Sequence, residues 1–165
     1  MTVTDYATCI AGLPRVLAGA AVLFRDARGR ILVVEPGYRE GWVLPGGTVE
    51  SDAGETPRQA ARRETLEEIG LDVPPGPLIA VDWSQSPARP PVVAYLYDGG
   101  VLPEERFAEI RLQEAELLSW KLIEPSEIPA HLPGSLGPRV LAGLRALADG
   151  SGPAELVNGL RSDEA

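Results

Sequence analysis

A helix with clearly marked ends is the feature that most constrains the fold of this 165-residue chain. Thr56 and Gln59 have the spacing of a capping box, and Pro57 stands at the first helical position. Gly70 ends the pattern, so the sequence predicts a helix over residues 57–69. Runs typical of strands lie on both sides of this helix. That order indicates a single α/β or α+β domain.

Short runs rich in β-branched and apolar residues predict the strands. They cover residues 16–24 and 31–34, which form a predicted hairpin, and then 78–83, 92–97, 110–112 and 117–123. A brief helical turn is predicted at 125–128, and a C-terminal helix at 138–148. We therefore expect an N-terminal arm over residues 1–15, one domain over 16–148 and a flexible tail over 149–165.

Charge limits the partners of the chain. Fifteen Lys and Arg residues against 24 Asp and Glu residues give a net charge of −9. Such a field repels nucleic-acid backbones and anionic lipids, so we expect neither nucleic acid nor a membrane as a partner. The longest uncharged apolar run, over residues 16–24, is too short to span a bilayer. Cys9 is the single cysteine and cannot form an internal disulfide, which favours a cytoplasmic location.

Three carboxylates share one face of the predicted helix. Glu64, Glu67 and Glu68 are spaced i, i+3 and i+4 and fall within roughly 100° of arc. Like charges at these spacings cost roughly 0.2–0.5 kcal/mol per pair. Arg62 and Arg63 are expected to project to other sides and to neutralise the cluster poorly. The cluster therefore needs a cation, and carboxylate oxygens suit Mg²⁺ or Mn²⁺. A solvated acidic face is the alternative.

A loop with three glycines leads directly into this helix. Together the loop and the helix resemble the Nudix box, G-x5-E-x7-R-E-U-x-E-E-x-G-U, in which U is a bulky aliphatic residue. The match runs from Glu55 through Arg63 to Leu71. Seven residues separate Gly47 from Glu55 where the box has five, and Thr65 stands at an aliphatic position. The resemblance implies an α/β/α sandwich around a mixed β-sheet.

The resemblance also implies a metal site on the helix. Glu64, Glu67 and Glu68 would bind a divalent cation, Mg²⁺ or Mn²⁺, as the cofactor. The backbone carbonyl of Gly47 would be a further ligand. The two extra loop residues lie most simply within residues 51–53, which affects the loop and not the helix.

A support for this site follows from the same resemblance. Glu55 and Arg63 would form an ion pair between the loop and the helix. That pair would hold the turn at Gly46 in place relative to the carboxylates. Because the insertion lengthens the loop before Glu55, this pair is the implied contact that depends most on the path of the loop.

The implied reaction is the attack of water on a phosphorus of a nucleoside diphosphate linked to another group X. Members of the family differ in the general base, which would be Glu64, Glu68 or a glutamate beyond the box. Glu114 and Glu116 are the candidates there, Glu114 as a catalytic residue and Glu116 also as a substrate-binding residue. Trp42 is expected to stack on a nucleotide base.

Two other classes of protein share parts of this pattern. A Nudix-like domain without catalysis would bind a nucleotide and regulate another process, although all three helix glutamates are intact. An isoprenyl diphosphate isomerase would need a catalytic cysteine in its core, whereas Cys9 stands in the N-terminal arm. The nucleotide, the number of metal ions and the oligomeric state stay open, with a homodimer among the alternatives.

Overall fold

Helices cover both faces of an eight-stranded mixed sheet. The computed structural model describes residues 5–163. The strands are β1 (Leu17–Arg25), β2 (Ile31–Pro36), β3 (Gly46–Thr48), β4 (Leu78–Ser86), β5 (Arg89–Val101), β6 (Leu117–Ile123), β7 (Ala154–Val157) and β8 (Leu160–Arg161). The helices are α1 (Tyr6–Ala11), α2 (Pro57–Ile69), α3 (Glu104–Ala108), α4 (Ile128–His131) and α5 (Leu136–Asp149), with 3-10 turns at Ser51–Ala53 and Pro125–Glu127. The predicted fold class is confirmed.

Strand β1 is the centre of the sheet. The strands follow the order β6-β2-β1-β5-β4-β7-β8, and β3 pairs with β1 beside this path. One edge of β1 binds β5 in parallel, whereas its other edge binds β3 and, at its end, β2. Arg25 of β1 lies opposite Ile31 of β2, as expected for the predicted hairpin. Strand β4 pairs antiparallel with β5 and parallel with β7.

Alternate residues of β1 face two separate cores, because side chains alternate across a strand. Val22 and Phe24 are buried with Ile69 of α2 in one core. Leu23 is buried with Val140 of α5 in the other core. This alternation places α2 and α5 on opposite faces and produces the α/β/α sandwich.

Helix α2 has the predicted ends. The side chain of Thr56 accepts the N–H of Gln59 at 3.2 Å, and the Gln59 side chain accepts the N–H of Thr56 at 2.9 Å. Gly70 ends the helix in the left-handed region at φ 72°. Thr65, at an aliphatic position of the box, is fully buried and donates its hydroxyl to the carbonyl of Ala61 at 2.8 Å. The polar atom is thereby satisfied, so threonine fits the core here.

The C-terminal segment differs from the predicted tail over 149–165. Strand β7 pairs in parallel with β4, and Leu156 is buried in the core. Asn158 and Gly159 join β7 to β8 with φ values of 49° and 81°. An Asn-Gly pair with positive φ at both residues is the strongest local signal for a hairpin turn. The polar composition of the segment masks that signal. Residues 164 and 165 lie outside the described part of the chain.

Two further segments add detail to the predictions. Helix α1 lies in the predicted arm and buries none of its residues, while residues 1–4 of that arm are outside the described part.

The prediction of a strand over residues 110–112 is wrong. The N–H of Arg111 donates to the carbonyl of Ile69 at 2.9 Å, and the N–H of Gln113 donates to that of Glu68 at 2.9 Å. This segment therefore satisfies the last carbonyls of α2 instead of pairing in the sheet.

None of the helices in residues 5–163 combines the length and the apolar character that crossing a bilayer requires. The 14 residues of α5 are the longest helical run of the fold. Crossing a bilayer as a helix takes about 20 apolar residues.

We expect Gly159→Ala to lower the free energy of unfolding by about 1–3 kcal/mol. A Cβ at this position would lie 2.7 Å from the carbonyl oxygen of Ser135 and 2.8 Å from the Cβ of Pro138. Gly152→Ala is the matched control, because Gly152 also has a positive φ, 77°, but open space around it. Chemical denaturation measures both variants. Equal losses would contradict the close packing of the turn against α5.

Candidate active site

A short pairing between β1 and β3 brings the glycine-rich loop onto the acidic face of α2. Ala20 lies opposite Gly47, and Ala21 lies opposite Gly46. Small residues permit this approach, since a Cβ on Gly46 would lie 2.6 Å from the Cα of Ala21. The pairing directs the N–H of Gly46 at Glu68, whose Oε2 accepts it at 3.0 Å.

Glu64 lies directly against Gly47. A Cβ on Gly47 would stand 2.5 Å from the Cδ and Oε1 atoms of Glu64, so glycine is the residue that fits here. Glu68 is 7% exposed and the Glu64 side chain 15%, whereas the Glu67 side chain is 49% exposed. The structure thus brings Gly46, Gly47, Glu64 and Glu68 together and places Glu67 at the solvent side of the same helix face.

Arg63 connects the loop to the carboxylates. It forms the predicted ion pair with Glu55, with Nε donating to Oε1 at 2.6 Å and Nη2 to Oε2 at 3.0 Å, and it holds the pKa of Glu55 below its usual range. Nη2 also donates to the carbonyl of Thr48 at 3.1 Å. Nη1 donates to Glu64 at 2.9 Å and to Glu67 at 3.1 Å. The prediction that Arg63 neutralises the cluster poorly is wrong, because its long side chain folds back over the acidic face.

The two extra loop residues are accommodated locally. Ser51–Ala53 form one 3-10 turn, and Gly54 follows at φ 76°. The N–H of Glu50 donates to Oε2 of Glu55 at 2.8 Å, and the N–H of Glu55 donates to the carbonyl of Glu50 at 3.3 Å. These bonds close the insertion into a small bulge. Glu55 consequently stays within reach of Arg63.

Burial raises the pKa of Glu68 to about 7, against the N–H of Gly46, which lowers it, and with a smaller contribution from the charges of Glu64, Glu116 and Glu67. Burial is also the main reason why the pKa of Glu64 lies above its usual range. Ionised carboxylates in this half-buried position destabilise one another. A divalent cation would stabilise all of them in the charged form.

The donor set of the site fits a hard divalent cation. Glu64, Glu67 and Glu68 offer carboxylate oxygens, and Gly47, the predicted backbone ligand, stands next to Glu64. Within residues 5–163, no three Asp, Glu, His or Cys side chains already stand in an arrangement that could hold a metal ion by themselves. Mg²⁺ does not require a full set of protein ligands, because it usually keeps several waters and binds through one or two carboxylates together with substrate phosphates.

Of the two predicted glutamates beyond the box, Glu116 is the one that lies near the cluster. It immediately precedes β6, and its charge raises the pKa of both Glu64 and Glu68. Both glutamates are exposed, but Glu114 does not belong to the groups of residues 5–163 that have this effect. The turn between α3 and β6 therefore gives Glu116 and Glu114 different positions relative to the acidic face, a difference that the sequence did not predict.

Trp42 lies outside the cavity that contains Glu68. The ammonium of Lys121 stands 4.2 Å from the centroid of its ring, which is a cation–π contact. Trp42 lines a second depression of about 500 Å³ together with Tyr38 and Leu118. The structure therefore does not bring Trp42 to the acidic face.

A cavity of about 660 Å³ extends from the acidic face across the sheet. Glu68 lines it at the β3 side, and Arg89, Arg139 and Asn158 line it at the β4 side. Its volume falls in the range of about 300–1,000 Å³ that is usual for ligand sites. Sequence reasoning missed the residues at the β4 side, since they come from separate elements and share no local pattern.

Comparisons with known proteins agree with this fold. The NUDIX domain family model matches residues 15–141, so the chain belongs to the Nudix hydrolase family. The MutT protein from Methanosarcina mazei Go1 is 21% identical, with a TM-score of 0.65 over 83% of this chain and 96% of that chain.

Two further solved structures share the fold. The NUDIX domain of Shewanella oneidensis NrtR, complexed with ADP ribose, is 15% identical, with a TM-score of 0.67 over 88% of this chain and 99% of that chain. A C. elegans Ap4A hydrolase is 22% identical, with a TM-score of 0.62 over 82% of this chain and 99% of that chain. At these identities the similarity is one of fold.

Proposed function

We propose that the protein hydrolyses a phosphoanhydride bond in a nucleoside diphosphate linked to another group X, in a reaction that depends on a divalent cation. The observation that carries this proposal is the acidic face of α2, where the buried Glu68 lines a ligand-sized cavity and the half-buried Glu64 lies against the glycine-rich loop. Family membership supports it. A small-molecule nucleotide is then the partner, and the single cysteine favours the cytoplasm.

The carboxylates of Glu64, Glu67 and Glu68, with the carbonyl of Gly47, would hold Mg²⁺ or Mn²⁺. When bound, the cation supplies charge stabilisation for the diphosphate and lowers the pKa of a water molecule. Arg63 contacts both Glu64 and Glu67, so it presents two of these carboxylates side by side.

A carboxylate near the cluster must take up the proton of the attacking water. We assign this role to Glu116, because its charge reaches Glu64 and Glu68 while it stands outside the donor set of the cation. Glu64 and Glu68 are the alternatives on the helix. Glu116→Gln and Glu114→Gln form a matched pair that separates these roles, since Glu114 lies two residues away in the same turn.

A panel of nucleotides tests the proposal. We expect turnover of at least one nucleoside diphosphate derivative with Mg²⁺ or Mn²⁺ and none in EDTA. ADP-ribose and Ap4A belong in the panel because one structure of similar fold, the NUDIX domain of NrtR, is complexed with ADP ribose, and another is an Ap4A hydrolase. Product identification shows which bond is cleaved. Binding of a panel member without any turnover would instead favour the catalytically inactive, nucleotide-binding regulatory domain.

A further inference from the structure

Four side chains at the β4 side of the cavity form a continuous hydrogen-bonded chain, named here the distal donor cluster: Ser84, Arg89, Ser135 and Arg139. Nη2 of Arg89 donates to Oγ of Ser84 at 3.0 Å. Nη2 of Arg139 donates to Oγ of Ser135 at 3.2 Å. The two hydroxyl oxygens stand 3.5 Å apart. The cluster thus joins β4 and β5 to the beginning of α5.

This cluster presents donors to the cavity. Each serine oxygen accepts a hydrogen bond from a guanidinium, and the proton of one hydroxyl lies between the two serine oxygens. The proton of the second hydroxyl is therefore free to point into the cavity. Nη1 of Arg139 has no hydrogen-bond acceptor within residues 5–163. The same holds for Nδ2 of Asn158, whose Oδ1 accepts the N–H of Gln85 at 2.7 Å. A surface made of donors is complementary to a group that offers only acceptors.

The net charge of the cluster also favours a ligand that carries hydrogen-bond acceptors and negative charge. Arg139 is paired with the fully buried Asp82 at 2.8 Å, which neutralises it. Arg89 is exposed and has no carboxylate partner in the described part of the chain. The cluster together with Asp82 therefore carries one excess positive charge in a chain with a net charge of −9. An oxyanion is attracted to this end of the cavity and repelled by the carboxylates at the other end.

The hairpin of β7 and β8 completes this wall. The N–H of Gly159 donates to Oδ1 of Asp82 at 3.0 Å, and the N–H of Asn158 donates to the carbonyl of Trp83 at 3.0 Å. Asn158 itself lines the cavity. Asn158 and Gly159 lie beyond residues 15–141, the segment that the family model matches. The wall is therefore built in part by residues outside the matched domain.

We propose that the distal donor cluster binds an oxyanion, a carboxylate or a phosphate, carried by the X group of the substrate. The proposal rests on the proposed function, in which the diphosphate lies at the acidic face. Strands β1 and β5 separate β3 from β4, a distance of about 14 Å at the usual strand spacing. One elongated ligand is thus needed to reach both ends, and the cluster determines which X groups fit.

Binding of inorganic phosphate is the first arm of the test, and it is independent of catalysis. In EDTA, the side-chain N–H signals of Arg89, Arg139 and Asn158 in NMR spectra are expected to shift with phosphate or acetate. Arg89→Gln should weaken that binding about tenfold. Arg145→Gln is the matched control, since it removes an exposed arginine of α5 that does not line the cavity. No shift with either anion would overturn the proposal.

Pairs of nucleotides that differ by one oxyanion are the second arm. UDP-glucose and UDP-glucuronate differ by a carboxylate on the sugar, and ADP-ribose and ADP-ribose 1″-phosphate differ by a phosphate on the distal ribose. With Mg²⁺, kcat/KM should be about tenfold higher for the charged member of one pair, which identifies the oxyanion. Arg89→Gln should remove this preference, so that kcat/KM becomes equal for the two members of the pair, whereas Arg145→Gln should keep it. Arg89→Lys should restore part of it, because it restores the charge.

The two arms separate the failure of this proposal from the failure of the proposed function. An anion-dependent shift at Arg89 without turnover of any nucleotide supports the cluster and contradicts the hydrolase. Turnover with equal kcat/KM for both members of both pairs contradicts the role of the cluster toward X. Circular dichroism of Arg89→Gln, whose side chain is exposed, establishes that the variant is folded.

Discussion

Glu68→Gln is expected to lower metal-dependent hydrolysis by about 100-fold or more while making the metal-free protein more stable above pH 7. The change removes one of the three helix carboxylates assigned to the cation, and even partners of metal ligands cost about 10–100-fold when replaced. The amide oxygen of glutamine still accepts the N–H of Gly46, which Glu68 binds at 3.0 Å. The hydrogen bond is therefore kept, and only the charge is lost.

The gain in stability follows from the raised pKa of Glu68. In the unfolded chain this carboxyl ionises near pH 4.5, whereas in the folded protein its pKa is about 7. Between these two values the folded protein holds a proton that the unfolded chain has lost, so the free energy of unfolding falls as the pH rises. The difference amounts to about 3 kcal/mol above pH 7 and vanishes below pH 4. Glutamine has no such loss.

Denaturant unfolding of both proteins in EDTA at pH 4, 6 and 8 measures this effect. Glu67→Gln is the matched control, because Glu67 is half exposed and is paired with Arg63 at 3.1 Å. That variant should lose activity as well, yet change stability by less than about 1 kcal/mol at any of these pH values. Added Mg²⁺ should stabilise the native sequence more than Glu68→Gln. A large loss of stability of Glu68→Gln in EDTA would mean that the charged carboxylate is structural.

Arg63→Ala is expected to lower turnover and the affinity for the cation together, each by about 10–100-fold. Its guanidinium contacts Glu55 in a bidentate pair, the carbonyl of Thr48, and both Glu64 and Glu67. Removing this guanidinium releases β3 from the helix and leaves the carboxylates of Glu64 and Glu67 without their positively charged partner. No metal ligand is removed, so a loss of metal affinity reports positioning.

A double-mutant cycle with Glu55→Ala separates this role from a general loss of structure. Partners in one network are not additive, so we expect a coupling of about 1–3 kcal/mol in turnover. Arg63→Lys should rescue little, because an ammonium cannot replace the planar fork. Arg62→Ala is the matched control, since Arg62 binds Asp72 on the exposed side of the same helix. Strict additivity of the Arg63 and Glu55 effects would contradict the positioning role.

Helix α2 and its acidic face were predictable from local sequence. A capping box, a proline and a terminal glycine define a helix through contacts between neighbouring residues, and the spacing of Glu64, Glu67 and Glu68 defines a face through helix geometry alone. The fold class followed from the order of helical and strand-like segments, and the resemblance to the Nudix box supplied the sandwich. These features depend on interactions over a few residues.

Tertiary structure decided where each of these carboxylates lies relative to water and to cations. Glu68 is buried because β3 pairs with β1, and Arg63 covers Glu64 because Glu55 and Thr48 hold its other nitrogens. The distinction between Glu116 and Glu114 arises from the turn before β6. Helical spacing specifies which residues share a face, but it does not specify how far a long side chain folds back over that face.

The β4 side of the cavity depends entirely on long-range contacts. Ser84 and Ser135 are 51 positions apart in the chain and 3.5 Å apart in the structure. Asn158 reaches the cavity because β7 pairs in parallel with β4, and a parallel pair requires a crossover, here through α5. The Asn-Gly turn is a local signal, but its place beside β4 is not. The sequence by itself therefore determined the acidic face, whereas only the tertiary structure determined the donors that lie opposite it.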